Sequence, residues 1–243
     1  MYNTLTKLPK GIIIFYYYGR KKQLAKHYPS PKHDIIIEPF AGSAAYSLYK
    51  DNWKKEVILI EKDKAVADIW DWLINEATPS QIERMPNLEV GEKSSEFLHI
   101  IHSASKMAFK YKTIKVTPVL ARNWEISKRI MAKDLNKIKH WKIICGDYSS
   151  APNIEATWFI DPPYKDAPGM GYRYGSNILN YADLANWTKK RKGDTIFCEG
   201  LHGDYLPFEP LIELKGIAGK KSKEVIYCQS NNICSNQLNP FSS

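Results

Sequence analysis

Long apolar runs are missing from this sequence: nothing in it approaches the ~20 consecutive apolar residues of a membrane span, which excludes a helical membrane protein. The longest run near the start, Gly11 to Tyr18, follows Lys7 and Lys10 in the manner of a signal peptide. It lacks a small-residue cleavage site and leads into Gly19-Arg20-Lys21-Lys22, so it reads as structure. Cysteine is scarce, four in 243 residues with no CxxC pair and none after a proline. Cys145, Cys198 and Cys228 lie in apolar, strand-like runs where a free thiol acts as a small buried hydrophobe, and a reducing cytoplasm is the simplest home. Internal repeats and low-complexity segments are absent too; only the tail from Gln229, with its Asn, Ser and Pro, reads as loosely ordered. What is present, 44% hydrophobic and 12% aromatic residues, excludes disorder for most of the chain and is enough for a sizeable core.

Acidic residues are nearly missing from one segment. Between Ser103 and Lys142 stand eleven Lys and Arg against only Glu125 and Asp134, an excess of +9 that equals the net charge of the whole chain. The remainder holds 24 basic and 24 acidic residues. A basic block interleaved with Phe109, Tyr111 and Trp124 suits a phosphate-facing surface, with Lys128, Arg129 and Lys133 as its candidate contacts. The bland alternative is a solvated helical face, although such faces usually mix signs.

Strand, turn and helix alternate elsewhere. Asp34 to Glu38 is a short apolar run ending in an acid, followed by Pro39-Phe-Ala-Gly-Ser43 and a helix-compatible stretch, Ala44 to Lys50. Glu56 to Glu61 repeats the pattern, and Asp63 to Glu76 has helical spacing with Ala65, Ile69, Trp72 and Leu73 on one face. Further strands are expected at Lys142 to Cys145, Thr157 to Ile160, Asp194 to Cys198, Leu211 to Leu214 and Glu224 to Cys228. Continuous apolar strands alternating with helices predict a Rossmann-like, doubly wound α/β fold with a mostly parallel sheet. The long helical and basic stretch then becomes an insertion at 83–141 between 1–82 and 142–243.

Ligands of such sheets bind beyond the carboxyl ends of the strands. There the sequence places Glu38-Pro-Phe-Ala-Gly42, Glu61, Gly146-Asp147-Tyr148 and Asp161-Pro162-Pro163-Tyr164. Gly42 suits a tight bend beside a ligand. Glu61 is placed to accept from ribose hydroxyls and disfavours a phosphate, so a nucleoside cofactor fits better than a 2′-phosphorylated dinucleotide. Two successive prolines cannot continue a ladder; they hold the backbone extended and set the Asp161 carboxylate beside a neighbouring carbonyl. Two such acceptors on the N–H groups of a nucleobase amine can draw its nitrogen towards pyramidal geometry as it attacks an alkyl donor. Tyr164 offers an aromatic face for an extruded base.

With these motifs in hand, the sequence resembles the Dam-like group of S-adenosylmethionine-dependent, adenine-specific DNA methyltransferases, in which Pro-Phe-x-Gly precedes Asp-Pro-Pro-Tyr. The likeness covers roughly 11–82 and 142–228, and it extends to Tyr18-Gly19-Arg20-Lys21 and to Lys221 to Tyr227, which is similar to the family's closing strand. The resemblance implies the class I methyltransferase fold and S-adenosyl-L-methionine as cofactor. Tyr18, Gly19, Lys21, Glu38, Phe40, Ala41, Gly42, Glu61, Asp147 and Asp161 would surround that cofactor, with Asp161, Pro162 and Tyr164 catalytic. It also implies DNA as partner, a role in DNA modification of the restriction–modification kind, and the cytoplasm of a bacterial or phage-infected cell. Tyr172 and Arg173, in the glycine-rich loop Lys165 to Asn177, are expected to meet nucleic acid.

The chain departs from the family at Ala44, where another Gly is frequent. It also has no Asn-Arg-x-Asn or Gly-x-Phe-Asn-x-Pro pattern in the basic segment. RNA adenine methylation therefore stays open as an alternative, as does a catalytically silent nucleic-acid-binding subunit; monomer and homodimer are equally open. Cytosine ring-carbon methylation commonly needs a Pro-Cys pair, which is missing. His99 and His102 share a helical spacing without a third ligand, so no metal is expected.

Overall fold

The computed structural model describes residues 12, 14, 15, 17, 21, 24–95, 115–165, 167–215 and 221–230. Tyr18, Gly19, His99, His102, Phe109 and Tyr111 lie outside them, as does most of the tail.

Seven strands form one sheet: β1 (Ile35–Glu38), β2 (Glu56–Glu61), β3 (Lys142–Cys145), β4 (Ala156–Ile160), β5 (Gly193–Gly200), β6 (Glu209–Lys215) and β7 (Lys221–Cys228). Their order is β3-β2-β1-β4-β5-β7-β6. The first five are parallel, and β7 runs antiparallel between β5 and β6. This is a Rossmann-like, doubly wound and mostly parallel sheet. The chain crosses from β1 to β2 on one side and returns to β4 on the other, so the crevice between β1 and β4 is the switch point where α/β sheets take ligands.

The central strands β1, β2 and β4 are apolar between their ends, apart from Thr157, because both faces of the sheet are covered there. Ile36, Val57, Leu59, Phe159, Ile196 and Ile226 point to one core. Ile37, Ile58, Ile60, Trp158, Ile160 and Phe197 point to the other. The side chains split by the two-residue period of a strand, so a one-residue slip would exchange the cores.

Among the described residues four α-helices flank the sheet: α1 (Lys64–Asp71), α2 (Pro79–Arg84), α3 (Pro118–Asp134) and α4 (Tyr181–Thr188). Each starts at a side-chain cap: Asp63, Thr78, Thr117 and Asn180 accept from backbone amides of the first turn. α1 passes into a single π turn, Trp72–Glu76, which together with α1 accounts for the predicted helix from 63 to 76. The described part of the basic segment shares the first core: Trp124, Met131 and Ala132 of α3 are buried there with Leu135, Ile138 and Trp141.

Two sequence expectations are corrected here. Ala44 to Lys50 is a string of turns, not a helix. The Ser47 amide, which a helix would give to the carbonyl four residues back, goes to Glu38 Oε1 at 2.9 Å, and both Ala44 and Lys50 adopt φ +48°. Among the cysteines, Cys198 is buried and free, but Cys145 is exposed and Cys228 is disulfide-bonded, its partner outside the described residues. The apolar runs hid these differences because β3 is an edge strand.

Candidate active site

A cavity of about 950 Å3, counted with its open mouth, lies beyond the carboxyl ends of β1, β2, β3 and β4. It gathers residues that the sequence had singled out separately: Lys21, Glu38, Phe40, Ala41, Gly42, Glu61, Asp147 and Asp161 all line it. Its floor is the turn after β1. Gly42 adopts φ +46°, and a Cβ there would meet the Tyr17 ring at 3.1 Å, so glycine is needed both for conformation and for space. The turn is tied on both sides: the Gly42 amide donates to Glu61 Oε2 at 3.1 Å, and Trp70 Nε1 donates to the Gly42 carbonyl at 2.9 Å. Glu61 thus supports the turn as well as facing the cavity, and its Oε1 also accepts from the Asp63 amide at 2.9 Å.

The lining is richer in acids than in bases. Five carboxylates (Glu38, Glu61, Asp63, Asp147, Asp161) face three cations (Lys21, Lys62, Arg173), in a protein of net charge +9. Burial pushes Glu38 up to about 8 against its hydrogen bonds from Ser47. It likewise pushes Glu61 up to about 7 against amide donors from Asp63 and Gly42. Asp161 is raised to about 6, by burial first and by Glu224, with Lys21 opposing. Asp147 is the exposed member, bridged to Lys62 at 3.0 Å.

The Asp161 turn is fixed from below. Lys21 Nζ lies 3.0 Å from Asp161 Oδ1. The Pro163 carbonyl accepts from the Tyr181 hydroxyl at 2.6 Å. Pro162 is buried. The Lys165 amide donates to Glu199, a buried acid at the end of β5 that also takes the Tyr205 hydroxyl. Gly169 passes so close that a Cβ would lie 1.7 Å from the Tyr164 carbonyl oxygen. Tyr164 departs from the open aromatic face expected of it: it is not among the lining residues, and it packs against the first core. Its hydroxyl donates to Glu224 Oε1 at 2.5 Å and accepts from Lys21, whose Nζ stands 4.0 Å from the ring centroid.

Tyr172 and Arg173 do line the cavity, but Arg173 is bound to Asp63 at 3.0 Å across the mouth, where the sequence reading had it meeting phosphate. Tyr172 stands 6.3 Å from Tyr17. Phe40 stacks on Tyr148 at 5.6 Å. Tyr17, Lys62, Asp63, Ile178 and Leu179 also line the cavity and were not foreseen. Asp63 could have been found, since it stands two residues after a strand-end acid and caps the next helix.

The basic segment divides. Lys128 is corrected: it is buried, with Nζ donating to the Met85 carbonyl and to Asn87 Oδ1, both at 2.7 Å, so it closes the end of α2 and faces no solvent. Lys139 similarly caps the Leu73 and Ala77 carbonyls. Arg129 and Lys133 are exposed, and with Arg122, Val119 and Ile126 they form one outward stripe of α3, at spacings of three and four residues, with the exposed Glu125 beside Arg122 and Arg129.

No protein-family model matches the sequence, and no curated protein does. Among solved structures, the chain superposes on one from Escherichia coli named "Putative methyltransferase yhhF" with 13% identity and a TM-score of 0.32, over 85% of this chain and 80% of that one. A superposition at that level carries no argument about chemistry. No helix of the described residues is long and apolar enough to cross a membrane.

Proposed function

We propose that this chain is an S-adenosylmethionine-dependent methyltransferase that modifies the N6 amine of adenine in DNA, acting on a base turned out of the duplex. The observation that carries the reading is Asp161: a carboxylate at the end of β4, held by Lys21 on one oxygen and facing a cavity whose opposite wall is the Glu38-to-Gly42 turn.

The lining fits the cofactor's charge. S-adenosylmethionine is a cation, and a lining that gathers five carboxyl groups, with Glu38 and Glu61 held toward the neutral form by burial, offers acids whose ionisation a cation would favour. Glu61 would hold ribose hydroxyls, Asp147 the adenine edge and Phe40 its face. The cofactor supplies, when bound, a methyl group activated by a positively charged sulfur. Asp161 and the Pro162 carbonyl would accept the two N–H bonds of the target amine. With a midpoint of about 6, Asp161 is ionised at neutral pH and near enough to neutrality to take the proton that the amine sheds. The α3 stripe supports a polyanion as partner, its cations spaced along one helical face.

Transfer of labelled methyl groups to duplex DNA, with base analysis of the product, tests the reading. Wild-type protein is expected to yield N6-methyladenine. Asp161→Ala is expected to lower transfer at least about a thousandfold, while calorimetric affinity for S-adenosylmethionine stays within about threefold. Transfer to RNA alone would turn the reading to the RNA enzyme; undiminished transfer by the variant would overturn the assigned chemistry.

A further inference from the structure

We propose that Glu224, on the reversed strand β7 and outside the cavity, is a positioning residue for Asp161: by sharing Lys21 with it, Glu224 keeps one Asp161 oxygen open to a substrate amine. The inference rests on the reading of Asp161 as the amine's acceptor.

Glu224 is buried, and its Oε1 takes the Tyr28 hydroxyl at 2.7 Å as well as the Tyr164 hydroxyl. Lys21 Nζ stands 3.7 Å from that same oxygen and 3.0 Å from Asp161 Oδ1, and donates to the Tyr164 hydroxyl. One ammonium therefore serves two carboxylates, with a phenol between them. Asp161 Oδ2 takes no protein donor among the described residues, and Asp161 lines the cavity. A lysine with a single buried counter-charge would close onto it, sharing its three N–H donors between both carboxylate oxygens. A second carboxylate on the far side draws the ammonium back and leaves Asp161 half-satisfied.

The groups that act on Asp161 are Lys21 from the N-terminal segment, Glu38 from β1, Tyr28, Tyr164, Cys198 from β5 and Glu224 from β7. Tyr172 faces Lys21. Of the anionic groups, Glu224 raises the Asp161 carboxyl, so removing its charge while keeping its shape lowers the Asp161 midpoint. Glu224→Gln does this, since the amide oxygen can still accept from the two phenols.

The test is a titration of the Asp161 carboxyl by carbon-13 NMR in the ligand-free protein, beside the pH profile of kcat/KM. Glu224→Gln is expected to move the NMR midpoint and the acid limb of the profile down together by about one unit. It should also lower kcat about tenfold with the cofactor KM within about twofold. Tyr28→Phe keeps the charge but removes one of its donors. Glu224 then leans harder on Lys21, and the midpoint is expected to rise; this variant also serves where Glu224→Gln does not fold. A role in packing alone would leave the midpoint still in both variants, and that result overturns the inference. A midpoint that moves in a protein inactive on every nucleic acid supports the charge sharing and defeats the functional reading. Activity with an unmoved midpoint does the reverse.

Discussion

Glu38 illustrates how a single residue can carry stability and function in opposite directions. Its carboxyl is buried against the turn amide of Ser47 and stays protonated up to about pH 8, whereas the unfolded chain ionises it near 4.5. Between these values the folded state holds one more proton than the unfolded state, so stability falls as pH rises, by about 1.4 kcal/mol per unit. Glu61 and Asp161 act in the same sense up to about 7 and 6. Glu38→Gln keeps the acceptor for Ser47 and cannot ionise. The variant is expected to gain on wild type as pH is raised from 5.5 to 7.5, by about 2–3 kcal/mol. Urea unfolding at the two pH values measures this; parallel curves for the two proteins would show that Glu38 titrates normally. The advantage is expected to vanish below about pH 4.5, where both states of the wild type are protonated.

Elements were legible in the sequence to the extent that their cause is local. β2 begins and ends where its apolar run does, because a strand buried on both faces has no polar interior to blur it. The strand-end acids were legible for the same reason, since a buried strand meets water only at its ends. Ala44 to Lys50 misled because its backbone is set by Glu38 and by positive φ angles, neither of which propensity records. The partners of Tyr164 and Arg173, Glu224 and Asp63, are 60 and 110 residues away and so beyond the reach of a local sequence pattern. The loop carrying Tyr172, Arg173 and Tyr174 is a wall of the cavity, strapped to α1's capping residue. Arg173→Ala would cut that strap and leave the buried Asp63 with one counter-charge fewer. Release of S-adenosylmethionine, followed by stopped flow, is expected to quicken about tenfold, a cost of about 1.4 kcal/mol. Weakened DNA affinity with unchanged release would instead return Arg173 to phosphate.

For the whole molecule, the arrangement of charge matters more than its total. The interior of the cavity is acidic and the outward face of α3 is basic. A cationic small molecule and a polyanion would therefore be drawn to different regions of one chain. Of the eleven cations in the basic segment, several are spent on the protein itself: Lys128 and Lys139 on carbonyls, Lys137 on Asp134 and Lys142 on Glu56. Composition cannot separate these from the exposed Arg122, Arg129 and Lys133, because the distinction lies in which side of α3 packs on α2. Replacing those three by Gln is expected to lessen the slope of log K against log salt for duplex DNA by about 2–3, as three lost phosphate contacts would. Lys128→Gln, in contrast, should leave the slope alone and lower stability by about 1 kcal/mol, since the Met85 carbonyl and Asn87 lose a buried donor. Titrations of both variants from 50 to 200 mM salt, beside urea unfolding, decide the matter. A slope that falls with Lys128 and not with the triple variant would place the nucleic acid on another face of the protein.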